Sequence, residues 1–286
     1  MAKVVLRGLH CSSIPSRDRM CWSNKRKAVM PQANIDQELC EAAEKGDVGK
    51  VLELLAHGAN PGSKDSLALG LAAASGSEEC VKLLLPVSDA KAEESLALRW
   101  AAENGHVECV KALLPVSDPK ARSSGALRWA AVKGRVECVR LLLPVSEVNA
   151  RESLALRLAA EYGHMECVKL LIPESDPKAN GSDALRRAAS YGNSSCVRLL
   201  LATSQPLIEI EGLLDKVIEA GRAETAALLI EEEPRLLDGL NLSRSLALAI
   251  ENEHGDLASF LSSIIDQREI LGVVPDRASS HGVARI

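Results

Sequence analysis

Apolar and polar positions along this chain fall into blocks that repeat, each block built from two runs with helical spacing. The block at residues 95–123 reads SLALRWAAENGHVECVKALLPVSDPKARS. Its LALRWAAEN and HVECVKALL segments each carry apolar residues three and four apart, which predicts two short helices. Ser95 stands where a side-chain oxygen can cap the first helix, and Gly105 where a positive φ can end it. Pro115 cannot continue the second helix, so VSDPKA is expected to be a loop. The block then recurs: Cys80, Cys109, Cys138, Cys167 and Cys196 keep a constant step of 29 residues. The same step carries Gly76, Gly105, Gly134, Gly163, Gly192 and Gly221, the serines 66, 95, 124, 153 and 182, and the prolines 86, 115, 144 and 173.

A helical hairpin of this size has no core of its own and hides its apolar face only against a copy of itself. The expected architecture is therefore an all-α helical-repeat solenoid. The motifs resemble the ankyrin repeat, whose TPLHLAA, short linker and GHLEVVKLLL are echoed by LALRWAA, EN and GHVECVKALL; the first unit, from Asp36, ends LLAHGANP where that family has LLxxGAdp. Three departures stand out. Leu-Ala and Arg replace the family's Thr-Pro and His, so the preceding Ser is expected to take over the cap. The period is shorter than the usual ~33 residues, and the missing residues fall in the finger, predicting a shortened finger loop with little strand. Beyond Leu200 the pattern decays into a degenerate unit and a more polar terminal cap. The resemblance spans about residues 36–270, seven to eight units with the last two degenerate.

Composition sharpens this picture. The chain has 286 residues, 47% hydrophobic and only 2% aromatic, as thin close-packed helices require. No apolar run reaches the ~18–20 residues of a membrane span, because a charge interrupts every candidate. The net charge of -5 hides an asymmetry: residues 1–35 hold seven Lys or Arg against Asp18. That segment reads as a disordered basic tail or a start set upstream of Met20 or Met30. The other readings are a transit peptide, a type III secretion signal, or a nuclear-import patch at Lys25, Arg26 and Lys27. Residues 271–286 are expected to be a disordered tail.

Chemistry that would make an enzyme is hard to assemble from these residues. The repeated cysteines stand in successive units, too far apart for one zinc or for disulfides, and each takes an apolar helix position; packing and a reducing intracellular compartment follow. His106 and His164 fall at the turn, and His10, His57, His254 and His281 show no ligand spacing. No phosphate-binding glycine motif occurs. The pairs Glu79/Lys82, Glu108/Lys111, Glu137/Arg140 and Glu166/Lys169 are expected to be solvated ladders. No catalytic residue, cofactor or metal is assigned.

Function is expected on the row of first helices, the concave face through which ankyrin proteins usually bind. Arg99, Arg128, Arg157 and Arg186, joined by Arg187, form a ladder that either engages a carboxylate- or phosphate-bearing partner or is paired internally. Glu103, Asn104, Lys133, Glu161, Tyr162 and Tyr191 stand at the positions that vary most between units and complete the candidate partner-binding set. Trp100 and Trp129 are expected to cover the core beside the loop. The leading expectation is a monomeric, non-enzymatic scaffold binding another protein, in a narrower version an effector that a host-associated bacterium exports into a eukaryotic cell. Binding of nucleic acid or an anionic ligand through the Arg ladder and basic N-terminus is the alternative, and self-association through exposed stacking faces a third.

Overall fold

The computed structural model describes residues 32–203, 212–238 and 240–270. The expectations for the terminal tails at 1–31 and 271–286 lie outside these residues.

The described residues form sixteen α-helices in eight antiparallel pairs, without a strand. The pairs are α1 (Gln32–Glu44) with α2 (Val48–Ala56), α3 (Ser63–Ser75) with α4 (Glu78–Leu84), α5 (Ala92–Asn104) with α6 (Val107–Leu113), and α7 (Ala121–Val132) with α8 (Val136–Leu142). They continue as α9 (Ala150–Glu161) with α10 (Met165–Leu171), α11 (Ala179–Tyr191) with α12 (Ser194–Leu201), α13 (Leu213–Glu219) with α14 (Ala223–Glu232), and α15 (Leu242–Glu251) with α16 (Gly255–Ile270). The first helix opens at Gln32, ahead of the boundary drawn at residue 36.

First helices stack on first helices and second on second, and the first row is the more intimately packed. Alanine explains the difference. Ala101, Ala102, Ala130, Ala131, Ala159 and Ala160 are wholly buried, and their small side chains let neighbouring backbones approach. The second row meets through Cys, Val and Leu, as in Cys138, Val139 and Leu142. The first helices thus form one row and the second helices the other. Between units from α2 to α11, no finger projects among the described residues: after the second helix a turn, as at Leu143–Val145, and a few loop residues lead into the next first helix.

The unit boundary holds a feature that the repeat pattern did not predict. In α3, α5, α7, α9 and α11 the first turn winds left-handed before the right-handed helix begins, as at Glu93, Glu94 and Ser95 with φ of 48, 55 and 61°. A left-handed turn costs roughly 1–2 kcal/mol per non-glycine residue, so something must hold it. The repeated serine does. Its backbone N–H closes the turn, Ser95 N to Lys91 O at 3.1 Å and Ser124 N to Lys120 O at 3.0 Å. Its hydroxyl accepts from an amide of the loop that follows the same unit's second helix: Asp89 N to Ser66 Oγ, Asp118 N to Ser95 Oγ, Glu147 N to Ser124 Oγ and Asp176 N to Ser153 Oγ, all 2.7–3.0 Å. The expectation that this serine caps its own helix is corrected accordingly. The hydroxyl instead fastens the loop that leads into the next unit.

A second tie runs the other way. His106 and His164 place Nε2 3.0 and 2.8 Å from the carbonyl oxygens of Ala74 and Val132 in the preceding unit. Arg135 and Arg222 donate from Nε to Glu103 O and Ser190 O, and Asn193 donates from Nδ2 to Ala160 O and Glu161 O. Each thereby satisfies carbonyls left open at a first helix's C-terminus. The turn glycine beneath makes room: at Gly163, φ is 76° and a Cβ would stand 2.7 Å from Asn193 Oδ1. Only glycine meets both demands.

Candidate partner-binding face

The Arg ladder lies along the first row, one residue each on α5, α7, α9 and α11, with Arg187 beside the last. Its rungs are not equivalent. Arg157 is 11% exposed and stands 3.4 Å from both Glu152 Oε2 and Asp183 Oδ2. Arg187 donates to Asp183 Oδ2 at 2.7 Å and pairs with Glu161. The hydrogen bond to Asp183 is the main reason the Arg187 guanidinium is held above its ordinary pKa. Arg186 donates to the carbonyl oxygen of Gly181 at 3.3 Å. Arg157 and Arg187 are therefore matched by carboxylates of this chain, whereas Arg186 meets only a backbone carbonyl.

Arg99 and Arg128 differ from Arg157 and Arg187 in lacking a carboxylate partner. Arg128 donates only to carbonyl oxygens, Ser123 O at 3.2 Å and Arg122 O at 2.7 Å, while Arg99 has no hydrogen bond or ion pair among the described residues. Burial lowers the pKa of both from the ordinary arginine value; for Arg99 the neighbouring Arg122 adds to it, and for Arg128 so do Arg151, Arg99 and Arg122.

The other predicted site residues form a second tier at the ends of the first helices. Glu103 and Lys133 stand 3.8 Å apart, and Asn104 Nδ2 donates to Trp100 O at 3.0 Å. Tyr162 and Tyr191 are each 54% exposed. The Tyr162 ring stacks on His164, with centroids 6.5 Å apart. Glu161 lies against Tyr191 and raises its phenol pKa from the usual value. The face is thus a series of exposed tyrosines and mixed charges on a uniform buried frame.

The tryptophans part ways. Trp100 is half-buried and lies over Gly70 of the preceding unit, as expected of a core cover. Trp129 is 42% exposed, which corrects the same expectation for that residue. Two residues that the sequence reading passed over, Gly125 and Asp183, decide how the ladder behaves. They occupy one repeat position, held by Leu67, Leu96 and Leu154 in the other units. That departure from leucine was the available signal.

The repeated cysteines lie in the core. Cys40, Cys80, Cys109, Cys138, Cys167 and Cys196 are buried free thiols. Burial pushes Cys109, Cys138, Cys167 and Cys196 up to about 11, far from the thiolate form that a nucleophile or metal ligand needs. Among the described residues no three His, Cys, Asp or Glu side chains converge as a metal site. No helix among them is long and apolar enough to cross a membrane.

A family profile described as ankyrin repeats (3 copies) matches residues 39–123, 89–152 and 127–210. The crystal structure of the human ASB11 ankyrin repeat domain is similar in fold, with a TM-score of 0.61 at 23% identity over 68% of this chain and 97% of that one. No curated protein matches the sequence.

Proposed function

The chain belongs to the ankyrin-repeat family, and on that premise we propose that it is a non-enzymatic scaffold that holds a partner protein against its row of first helices. Ankyrin repeats are generally protein–protein interaction modules. The observation that carries the placement is the contrast between frame and face. Leu, Ala, Val and Cys recur unchanged in the core, while the ends of the first helices differ from unit to unit and present Tyr162 and Tyr191 to solvent. Tyrosine offers large, rigid, amphipathic contact area and is enriched at interface hot spots.

Affinity capture tests this reading. The full chain is compared with a Tyr162→Ala/Tyr191→Ala variant and with an Arg140→Gln variant on α8 in the opposite row, after circular dichroism shows that all three keep their helices. The expected result is a protein retained by the parent and by Arg140→Gln but lost from the tyrosine variant. Equal retention by all three would move the binding surface to the loops or the terminal units.

A further inference from the structure

The two ends of the Arg ladder differ at the Leu/Gly/Asp position, as well as in Trp129 standing where α11 has Arg187, and the first of these differences points to a ligand. In α11 the residue at the Leu/Gly/Asp position is Asp183, whose Oδ2 stands 3.4 Å from Arg157 Nε and 2.7 Å from Arg187 Nε. A carboxylate of this chain is thus seated against a rung of the ladder. In α7 the equivalent residue is Gly125. A Cβ built there would lie 3.1 Å from Arg99 Cδ and 3.8 Å from Arg128 Nη2. The stem of Arg99 crosses the glycine as Arg157 approaches Asp183, with no carboxylate between the two arms.

The surroundings do not supply one. Arg122, beside the pair, is already matched to Glu94, and Arg151 has no ion pair or hydrogen bond among the described residues. Glu93, Glu94 and Glu103 face Arg99 at longer range, and Glu103 is shared with Lys133. Arg128 feels only other arginines. A half-buried guanidinium without a counter-charge is costly, and a planar bidentate donor matches a carboxylate.

We infer that the stretch of the face formed by α5 and α7 receives an acidic segment of a partner protein, with an Asp or Glu carboxylate seated between Arg99 and Arg128 over Gly125. Trp129, exposed on α7, gives an apolar neighbour of that acidic residue a surface to rest on. A nucleic-acid strand fits less well, because Glu93, Glu94 and Glu103 border the pair and every nucleotide carries a charge, whereas a protein segment need present only one carboxylate to the seat. This inference rests on the first-helix row being the binding face.

The test uses the full chain and a short fluorescein-labelled peptide of Asp and Glu around a central Leu. Its Asn/Gln counterpart and a labelled single-stranded oligonucleotide serve as comparators, all read by anisotropy at low and moderate salt. The acidic peptide is expected to bind, to quench tryptophan emission, and to weaken about tenfold with Arg99→Gln or Arg128→Gln, as for a lost charge pair. Gly125→Asp, which installs the carboxylate that α11 already carries, is expected to abolish binding while the thermal midpoint holds or rises. Arg140→Gln, with the same charge change on the opposite row, is expected to change nothing. The inference is overturned if the peptide does not bind, if its Asn/Gln counterpart binds equally, or if Arg140→Gln weakens binding as much as Arg99→Gln. It is equally overturned if the oligonucleotide is the better ligand and loses affinity with Arg99→Gln. Loss of the captured partner with Tyr162→Ala/Tyr191→Ala but not with Arg99→Gln would keep the face and remove the acidic seat. Loss with neither would remove both.

Discussion

Ser124 is buried, closes a left-handed turn with its amide and accepts the amide of Glu147 with its hydroxyl. Removing that oxygen leaves the half-buried N–H of Glu147 without this partner, so Ser124→Ala is expected to cost about 1 kcal/mol in urea denaturation. The left-handed turn permits the opposite experiment one residue earlier. Ser123 has φ 56°, and its counterpart in α11 is Gly181. Ser123→Gly removes a Cβ from a conformation that disfavours it, at some cost in chain entropy; a net gain of about 0.5–1 kcal/mol is expected in the same assay. The buried thiols give a pH dependence. Cys109, Cys138, Cys167 and Cys196 titrate near 11 in the folded chain against an ordinary 9.0, so the unfolded chain loses those protons first. Their contribution is complete below pH 9 and is lost as pH rises toward 11. The urea midpoint should fall across that window, and less steeply once the four are replaced by alanine. Sequence made the arginine row visible through its constant spacing. The division of that row was not visible, because it depends on Asp183 and Gly125, single departures that look like ordinary variation until their neighbours across the unit boundary are known.

The helices themselves were largely legible, since apolar spacing, the turn glycine and the proline stop each act within a few residues. The left-handed turns were not. Pairs such as Glu93-Glu94 and Arg122-Ser123 carry no local preference for that geometry and accept it only because a loop 23 residues further on supplies the bond that fixes it. On the second helices, Glu108/Lys111 and Glu137/Arg140 pair as their spacing implies, at 2.7 and 3.5 Å. Lys82 corrects the pattern by choosing Glu78 over Glu79, the i, i+4 partner over i, i+3, and the two spacings differ little in energy. Packing between helices is the stricter constraint. Ala130→Leu forces extra volume into the closest part of the first row and is expected to cost about 1–3 kcal/mol or more by thermal denaturation. At the turn, Arg135→His should be nearly neutral because His106 and His164 make the same backward tie. Arg135→Ala, losing both the bond to Glu103 O and the stem over Gly105, should cost about 1 kcal/mol.

Across the whole molecule, each pair of helices touches chiefly the pairs on either side of it, so stability is carried by interfaces between neighbours. Removing α15 and α16 is expected to speed hydrogen exchange first in α13 and α14, while α5 to α8 keep their protection. The side-chain ties obey the same limit. Ser66, Ser95, Ser124 and Ser153 fasten the loop that leads into the next unit, and His106, Arg135, His164, Asn193 and Arg222 reach back into the preceding one. Excising residues 106–134 would join Gly105 to Arg135 and put an arginine where a histidine had stood, with the ties on either side re-formed in kind. A gain or loss of one whole 29-residue unit is thus the length change that this architecture accepts with least disturbance. Each such event adds or removes a rung of the binding row and leaves the remaining joints as they were.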